Sequence, residues 1–319
     1  MRDSTPADAE VVTDLINWEY PEPSTVEQVR ERLRSSAPSR DVRRLVAEEG
    51  EAGDGRMIGY GHALRDDWME PGLFWVHIAV APAARRQGVG STLFAALLDW
   101  ARPLGATTLM TSPYEHHAES VQFAERHGFQ IERHSFESRL DLSAFDERPF
   151  LSALDMTQAA GVRFVTMADL GDTPEARRKL YELDRLVARD IPGGSEAAIR
   201  PFETFIEQVC AAPGYHAGCQ HIALDGEAWI GLALLEKMAA TDAMYNGITG
   251  VLPAWRGQGI ALALKLLAIR VARRYGARYL RTNNDSQNAP MLAVNRKLGY
   301  QPQPGFYRMR AQLMPSERI

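Results

Sequence analysis

Val80-Ala-Pro82-Ala-Ala-Arg85-Arg86-Gln87-Gly88-Val89-Gly90-Ser-Thr-Leu93 returns later in the chain as Val251-Leu-Pro253-Ala-Trp-Arg256-Gly257-Gln258-Gly259-Ile260-Ala261-Leu-Ala-Leu264, with seven of fourteen positions identical at an offset of 171 residues. Two later pairs keep that register: Gly105-Ala106 with Gly276-Ala277, and Gly128-Phe129 with Gly299-Tyr300. Separate landmarks sharing one offset mark a tandem duplication. The period is far too long for a solenoid repeat, so each copy is expected to be a domain with its own core. The division follows as 1–150 and 151–319. Residues 141–160 mix polar and apolar groups without a Gly/Ser tract, which predicts a packed connector.

In each copy the loop is preceded by a strand-like run and followed by a helical one. In the first copy, residues 41–49 and 57–65 read as strands joined by a Gly-rich hairpin, and 74–80 and 107–111 as further strands. Leu93, Phe94, Leu97, Leu98 and Ala101 recur at the spacing of one helical face before Gly105, a C-cap signal. The second copy repeats the plan with strands at 221–224, 229–237, 244–251 and 278–282 and helices at 260–275 and 289–298. Its opening strand reads at 162–167, with Thr173 and Pro174 as N-cap and first-turn residue of the next helix. The first copy has only a few residues before its first helix, so its opening strand is expected to be missing or replaced by another segment.

Composition excludes several classes. Lys and Arg number 36 against 41 Asp and Glu, a net charge of −5, which argues against a nucleic-acid binder relying on bulk positive charge. Cys210 and Cys219 are the only cysteines, too few for a disulfide framework or a four-thiolate zinc site. His116 and His117 are adjacent and lack a carboxylate cluster, so no metal is expected. The N-terminus lacks the basic start and apolar stretch of a secretory signal. The most apolar run, beginning at Ile260, is broken by Lys265 and Arg270 well short of the ~20 residues that span a bilayer. A soluble, cytoplasmic protein with no membrane partner is the expectation.

The duplicated loop carries the chemistry. A strand ends in Val-x-Pro, then Arg-x-x-Gly-x-(Gly or Ala) opens a helix. Glycines let backbone N–H groups approach a ligand closely, and a helix N-terminus adds unpaired donors and partial positive charge; together they make a pyrophosphate cradle. The third glycine of the dinucleotide fingerprint and the Gly-Lys-Ser/Thr of a nucleotide P-loop are both absent.

These residues resemble the GNAT superfamily of acyl-CoA-dependent N-acyltransferases in its tandem two-domain form. The family's Arg/Gln-x-x-Gly-x-Gly/Ala loop is similar to Arg85–Gly90 and to Arg256–Ala261. Its Asn, eleven residues before a Gly-aromatic pair, is matched by Asn288 ahead of Gly299-Tyr300, whereas the first copy has His117 there. The resemblance implies an α/β (α+β) fold of two GNAT-like domains. Each would be a mixed, mostly antiparallel sheet flanked by helices, with a splayed V-shaped wedge for acetyl-CoA. The implied coenzyme residues are Val80, Arg85, Arg86, Gln87, Gly88, Val89 and Gly90 in the first copy. In the second they are Thr249, Val251, Arg256, Gly257, Gln258, Gly259, Ile260, Ala261, Asn288 and Asn295. Amides near Val251 would polarise the thioester carbonyl, and an amine would attack it directly.

The proton-transfer groups depart from the family pattern. Its Tyr four residues before the terminal Gly is replaced by Ala124 and Asn295. Tyr245 stands where some relatives place a base, with Phe74 at the same offset in the first copy; Glu236, Asp242 and Asp285 are nearby carboxylates. Tyr245 equally suits a half-buried strand aromatic, and Asn288 a plain helix cap. The expected function is acetyl transfer to a primary amine of a small molecule, with the C-terminal copy catalytic. The alternatives are two catalytic copies, or a coenzyme A-binding sensor or structural protein. The acceptor pocket is expected from residues 14–40 and 181–205, with a turn-rich break at 190–194.

Overall fold

The computed structural model describes residues 1–18, 23–34, 40–50, 55–67, 69–192, 201–238 and 241–313. The tip of the expected first hairpin at 51–54, and Gly193-Gly194 of the expected break, lie outside them. In chain order the elements are β1 (Arg2–Asp3), α1 (Ala9–Asn17), α2 (Val26–Arg34), β2 (Arg40–Glu49), β3 (Arg56–Asp66), β4 (Leu73–Val80), α3 (Val89–Ala101), β5 (Thr108–Thr111), α4 (Ala118–Arg126) and β6 (Gln130–Asp141). There follow α5 (Leu151–Ala159), β7 (Val162–Thr166), α6 (Pro174–Ala188), α7 (Phe202–Phe205), β8 (Tyr215–Asp225), β9 (Ala228–Lys237) and β10 (Ala243–Val251). The last are α8 (Ile260–Arg274), β11 (Tyr279–Asp285), α9 (Ala289–Lys297), β12 (Gln301–Pro302) and β13 (Phe306–Gln312).

The first copy does have an opening strand. β1 is only two residues long, with Arg2 opposite Val46 and Asp3 opposite Leu45 on β2, too short to carry a periodicity in sequence. Thr173 caps α6 as expected, its hydroxyl accepting from the Ala176 N–H at 3.2 Å. Gly105 closes the helical run after α3 at φ +86°.

Two compact units result: Met1–His134 with Gly305–Ile319, and Ser135–Pro304. This division by packing differs from the division by repeat at 150/151. The first unit's strands run β1-β2-β3-β4-β5-β13, and the second's run β7-β8-β9-β10-β11-β6, with β12 also on β6. Among the described residues, the one parallel pair in each is the fourth of its five, β4 with β5 and β10 with β11. The strand that finishes each sheet comes from the other copy of the repeat. Met309, Arg310, Ala311 and Gln312 face Thr111, Met110, Leu109 and Thr108. Ser138, Arg139, Leu140 and Asp141 face Thr282, Arg281, Leu280 and Tyr279, the same positions shifted by the repeat offset of 171. The two terminal strands thus pair with their edges in equivalent registers.

Helices cover both faces of each sheet. In the first unit α3 buries Leu93, Phe94 and Leu97 against Phe74, Val76 and Leu109, while α1 and α2 cover Val46, Tyr60 and Ala79. In the second, α8 packs on Ile230 and Leu280, and α6 packs Leu180, Leu183 and Val187 on Ile222 and Leu232. Residues 141–160 form the expected packed connector. Their helix α5 lays Leu154 on the outer side of α8 against Ala263 and Leu266, and Arg273 donates to the Leu142 carbonyl at 2.8 and 3.0 Å. Apolar on all sides, α8 is buried on all sides. It carries Lys265 inside with it, 1 % exposed, the Nζ 4.9 Å from the Tyr300 ring centroid. Among the described residues no helix is long and apolar enough to cross a membrane.

Candidate functional site

Both Arg/Gly loops trace the same backbone. Arg86 and Gly257 take φ of +62° and +76°, and two residues later Gly88 and Gly259 take +87° and +82° as N-caps of α3 and α8. Left-handed backbone costs an L-residue roughly 1–2 kcal/mol, which glycine avoids; the Arg86 side chain is accommodated there nonetheless. A Cβ added at Gly88 meets nothing within 4 Å, so this face of the loop is open. At Gly259 it would touch only Thr157 of α5, at 3.7 Å. Neither helix has a side-chain cap on its N-terminal amides. The first-turn N–H groups are therefore left for an anion.

The loop arginines do another job. Arg85 Nε donates to the Val80 carbonyl at 3.1 Å, and Arg256 Nε to the Val251 carbonyl at 2.9 Å, each fastening its loop to the end of the preceding strand. Arg256 also pairs with Asp190, and Arg85 lies over the Trp18 ring at 3.7 Å, with the His117 ring tilted against that indole at 4.6 Å. Gln87 donates to the Ala83 carbonyl at 3.0 Å. These side chains shape the cradle, and its donors are backbone groups.

Beyond each loop the parallel pair splays. In the first unit β4 and β5 are paired only as far as Trp75 opposite Met110. A cavity of about 350 Å³ follows, walled by Val76, Ile78, Gly90, Ser112, Ser120 and Phe123. Apolar walls leading to an N–H-rich loop fit an extended acyl-pantetheine arm with an anionic diphosphate. In the second unit pairing ends at Tyr245 opposite Arg281. Just past it the Thr282 hydroxyl donates to the Asn246 carbonyl at 2.9 Å.

Uncharged polar groups line this second splay. Asn295 Nδ2 donates to Asn284 Oδ1 at 2.6 Å, and Asn284 Nδ2 to the Ser138 hydroxyl at 2.8 Å. Asn295 is 3 % exposed and its Oδ1 has no hydrogen-bond partner among the described residues. It is a buried member of this network at the splay where a coenzyme contact was expected of it. Asn288 caps α9, accepting from the Met291 N–H at 3.3 Å. Val251 and Ile260 are buried at the strand end and the helix start.

A pocket of about 450 Å³ opens on the α6 side of the second unit. Its floor is a row across three strands. Glu236 is opposite Tyr215 on β8 and opposite Tyr245 on β10, so the three side chains share one face and all line the pocket. The next row, Gln220, Leu234 and Ile248, continues the floor, and α6 supplies Tyr181, Asp184 and Arg185 as wall. Part of this wall falls within the expected 181–205 segment; Tyr215 and Gln220 were not foreseen, and paired tyrosines flanking a strand glutamate were their only signal. Tyr215 donates to Asp172 Oδ1 at 2.9 Å, and Arg177 fixes that carboxylate. Burial holds the Tyr245 phenol above its ordinary pKa, offset in part by the Asn283 N–H. At neutral pH it is a hydrogen-bonding hydroxyl and a poor base. Asp285 does not join this group; its Oδ1 accepts from the Gln287 N–H at 2.8 Å in the turn after β11. Among the described residues no three His, Cys, Asp or Glu side chains gather as a metal site would require.

The strand that carries Tyr245 is irregular. β10 pairs Asn246 with Leu235 and Ile248 with Leu234, leaving Gly247 as the extra residue of a bulge. The first copy has none: β4 pairs with β3 without interruption from Val80 opposite Gly59 to Trp75 opposite Leu64. The bulge shifts the equivalence by one residue, so Trp75, and not Phe74, occupies the place of Tyr245, and Val76 that of Asn246.

Comparison with known proteins fits this arrangement. The model of the acetyltransferase (GNAT) family matches residues 9–129 and 179–300. A GCN5-related N-acetyltransferase from Sphaerobacter thermophilus superposes with a TM-score of 0.71 at 20% identity, covering 100% of this chain and 96% of that one. A tandem GNAT protein from the clavulanic acid biosynthesis pathway gives 0.69 at 21% identity, with 99% and 98% covered. No curated protein matches the sequence.

Proposed function

The chain belongs to the GNAT acetyltransferase family, and from that premise we propose that its second unit transfers an acetyl group from acetyl-CoA to a primary amine of a small molecule. The family uses acetyl-CoA and acetylates amines; the acceptor, the mechanism and the choice of unit are the proposal. The observation that carries it is the pocket floor. Glu236 on β9 and Tyr245 on β10 are direct cross-strand neighbours, and the far end of β10 opens the coenzyme loop, which gives a cationic amine a carboxylate and a hydroxyl beside the splay.

When bound, acetyl-CoA supplies an activated thioester whose carbon–sulfur bond breaks as the bond to the acceptor nitrogen forms. The backbone amides at the start of α8 and the loop around Gly259 would hold its diphosphate. Past the end of the β10/β11 pairing, alternate N–H groups of residues 247–251 lose their ladder partners, and one of them would polarise the acyl carbonyl. Glu236 draws the ammonium and accepts its proton, while Tyr245 and Tyr215 orient it. Asn295 has no proton to give, so the departing thiolate is protonated by solvent.

A second reading concerns the first unit. Its open 350 Å³ wedge and cradle at Gly88 favour coenzyme binding, while the positions of Tyr245 and Asn246 are taken by Trp75 and Val76, and the cavity is lined by the titratable groups His77, Tyr114, His117 and Glu119. The first unit would then hold coenzyme without catalysis. Calorimetric titration of acetyl-CoA, with Gly88→Glu and Gly259→Glu variants alongside, tests both readings. Two sites, one lost with each change, and turnover of an amine panel lost only with Gly259→Glu, are expected. Turnover that survives Gly259→Glu and dies with Gly88→Glu assigns the chemistry to the other unit, and no binding at all refutes the coenzyme reading.

A further inference from the structure

Asn246 is a polar residue with no exposed surface at all, at the centre of a strand, where asparagine is disfavoured. Every polar atom of its side chain is engaged. Nδ2 donates to the carbonyls of Leu234 and Ile248, each at 3.0 Å, and Oδ1 accepts from the Thr249 hydroxyl at 2.9 Å. Its own carbonyl takes the Thr282 hydroxyl from across the splay. The two carbonyls accept only, so the amide orientation is determined. The side chain bridges Gly247, reaching across to β9, along to Ile248 and forward to Thr249.

A bulge breaks the ladder and re-aims the residues beside it, and it stays put only where other groups replace the missing bonds. Here the asparagine amide acts as a substitute peptide group. In the first unit the same place holds Val76, which offers no such bonds, and that strand runs without a bulge.

We propose that the side chain of Asn246, anchored by the Thr249 hydroxyl, is the positioning residue that sets the β10 amides to polarise the acyl carbonyl. The inference rests on the reading of the second unit as the transferase. Asn246 touches no reacting atom and acts through the backbone of residues 247–249. The Val76 position in the first unit then marks a wedge that grips coenzyme without activating its thioester.

The test compares acetyl-CoA with the S-ethyl thioether of coenzyme A, which has the same shape and no carbonyl. Binding is measured calorimetrically in a Gly88→Glu background that silences the first wedge, and the isotope-edited infrared carbonyl band of [1-13C]acetyl-CoA is recorded on the same samples. One hydrogen bond to the carbonyl is expected to make acetyl-CoA bind about 3–10-fold tighter than the thioether and to lower the band frequency. Asn246→Ala and Thr249→Val should bring that ratio to within about twofold and return the band toward its free position. Thr249→Ser, which keeps the hydroxyl, restores both. Thr249→Val removes one hydroxyl at a half-buried site, so it answers the question even if Asn246→Ala fails to fold. Ratio and band unchanged in Thr249→Val overturn the inference while leaving the transferase reading standing. A wild-type second unit that binds neither ligand overturns both.

Discussion

Replacing Lys265 with Met should stabilise the second unit, and the gain should depend on pH. The lysine is enclosed by α8 and its neighbours, and burial lowers its pKa from 10.5 to about 7. That fall corresponds to about 5 kcal/mol of penalty on the charged form. Below pH 7 the amine is charged in both folded and unfolded states and the full penalty stands. Between 7 and 10.5 the unfolded chain holds a proton that the folded one has released. Wild-type stability therefore climbs with pH through that window, and levels off above it. Urea unfolding at pH 6, 8 and 10, with hydrogen exchange of the α8 amides as a readout local to this unit, should give the Met variant an advantage of about 5 kcal/mol at pH 6. The advantage should shrink toward the ~1 kcal/mol cost of a buried neutral amine at pH 10. An advantage equal at pH 6 and pH 10 would refute the reasoning, because it would mean that the amine keeps its ordinary ionisation in the fold.

Two further expectations follow from close contacts. Gly250→Ala places a Cβ 2.0 Å from Val187 Cγ1, so α6 must shift. A loss of about 1–3 kcal/mol in thermal unfolding is expected, with a raised KM for the acceptor amine because α6 carries Tyr181 and Asp184. Asn288→Ala removes the cap of α9 and should cost about 1 kcal/mol of stability by the same measurement; a change in acetyl-CoA affinity without that loss would make Asn288 a coenzyme contact instead.

Much of the fold was legible because its signals are local. The Val-x-Pro and glycine loops, the helical face from Leu93 to Ala101 and the Thr173 cap all follow from short-range geometry, and each is found where it was read. The strand exchange was hidden for a physical reason. Residues 135–141 and 306–312 are equivalent in the repeat, and no pattern within either tells which edge it will join. The strand that carries Tyr245 was only half legible. Tyr245 and Glu236 were picked out and do share a face, but the one-residue slip at Gly247 moved the counterpart of Tyr245 from Phe74 to Trp75. A glycine and an asparagine inside a strand pattern were the available warning of a bulge. Arg85 and Arg256 were read as part of a coenzyme loop from its motif, and the motif gave no sign that their Nε groups also tie the loops back to the strand ends.

The placement of β13 has a consequence in time. β5 is complete once Thr111 is made, yet its partner strand begins at Phe306, after the whole second unit. At ~5–20 residues per second, translation of the intervening stretch takes roughly 10–40 s. The second unit needs only the continuous stretch Ser135–Pro304, so it can fold on the ribosome while the first waits with an open edge. During that interval the nascent chain presents an unpaired strand, the kind of surface to which holding chaperones and neighbouring nascent chains attach. The half of the protein made first is thus the half finished last.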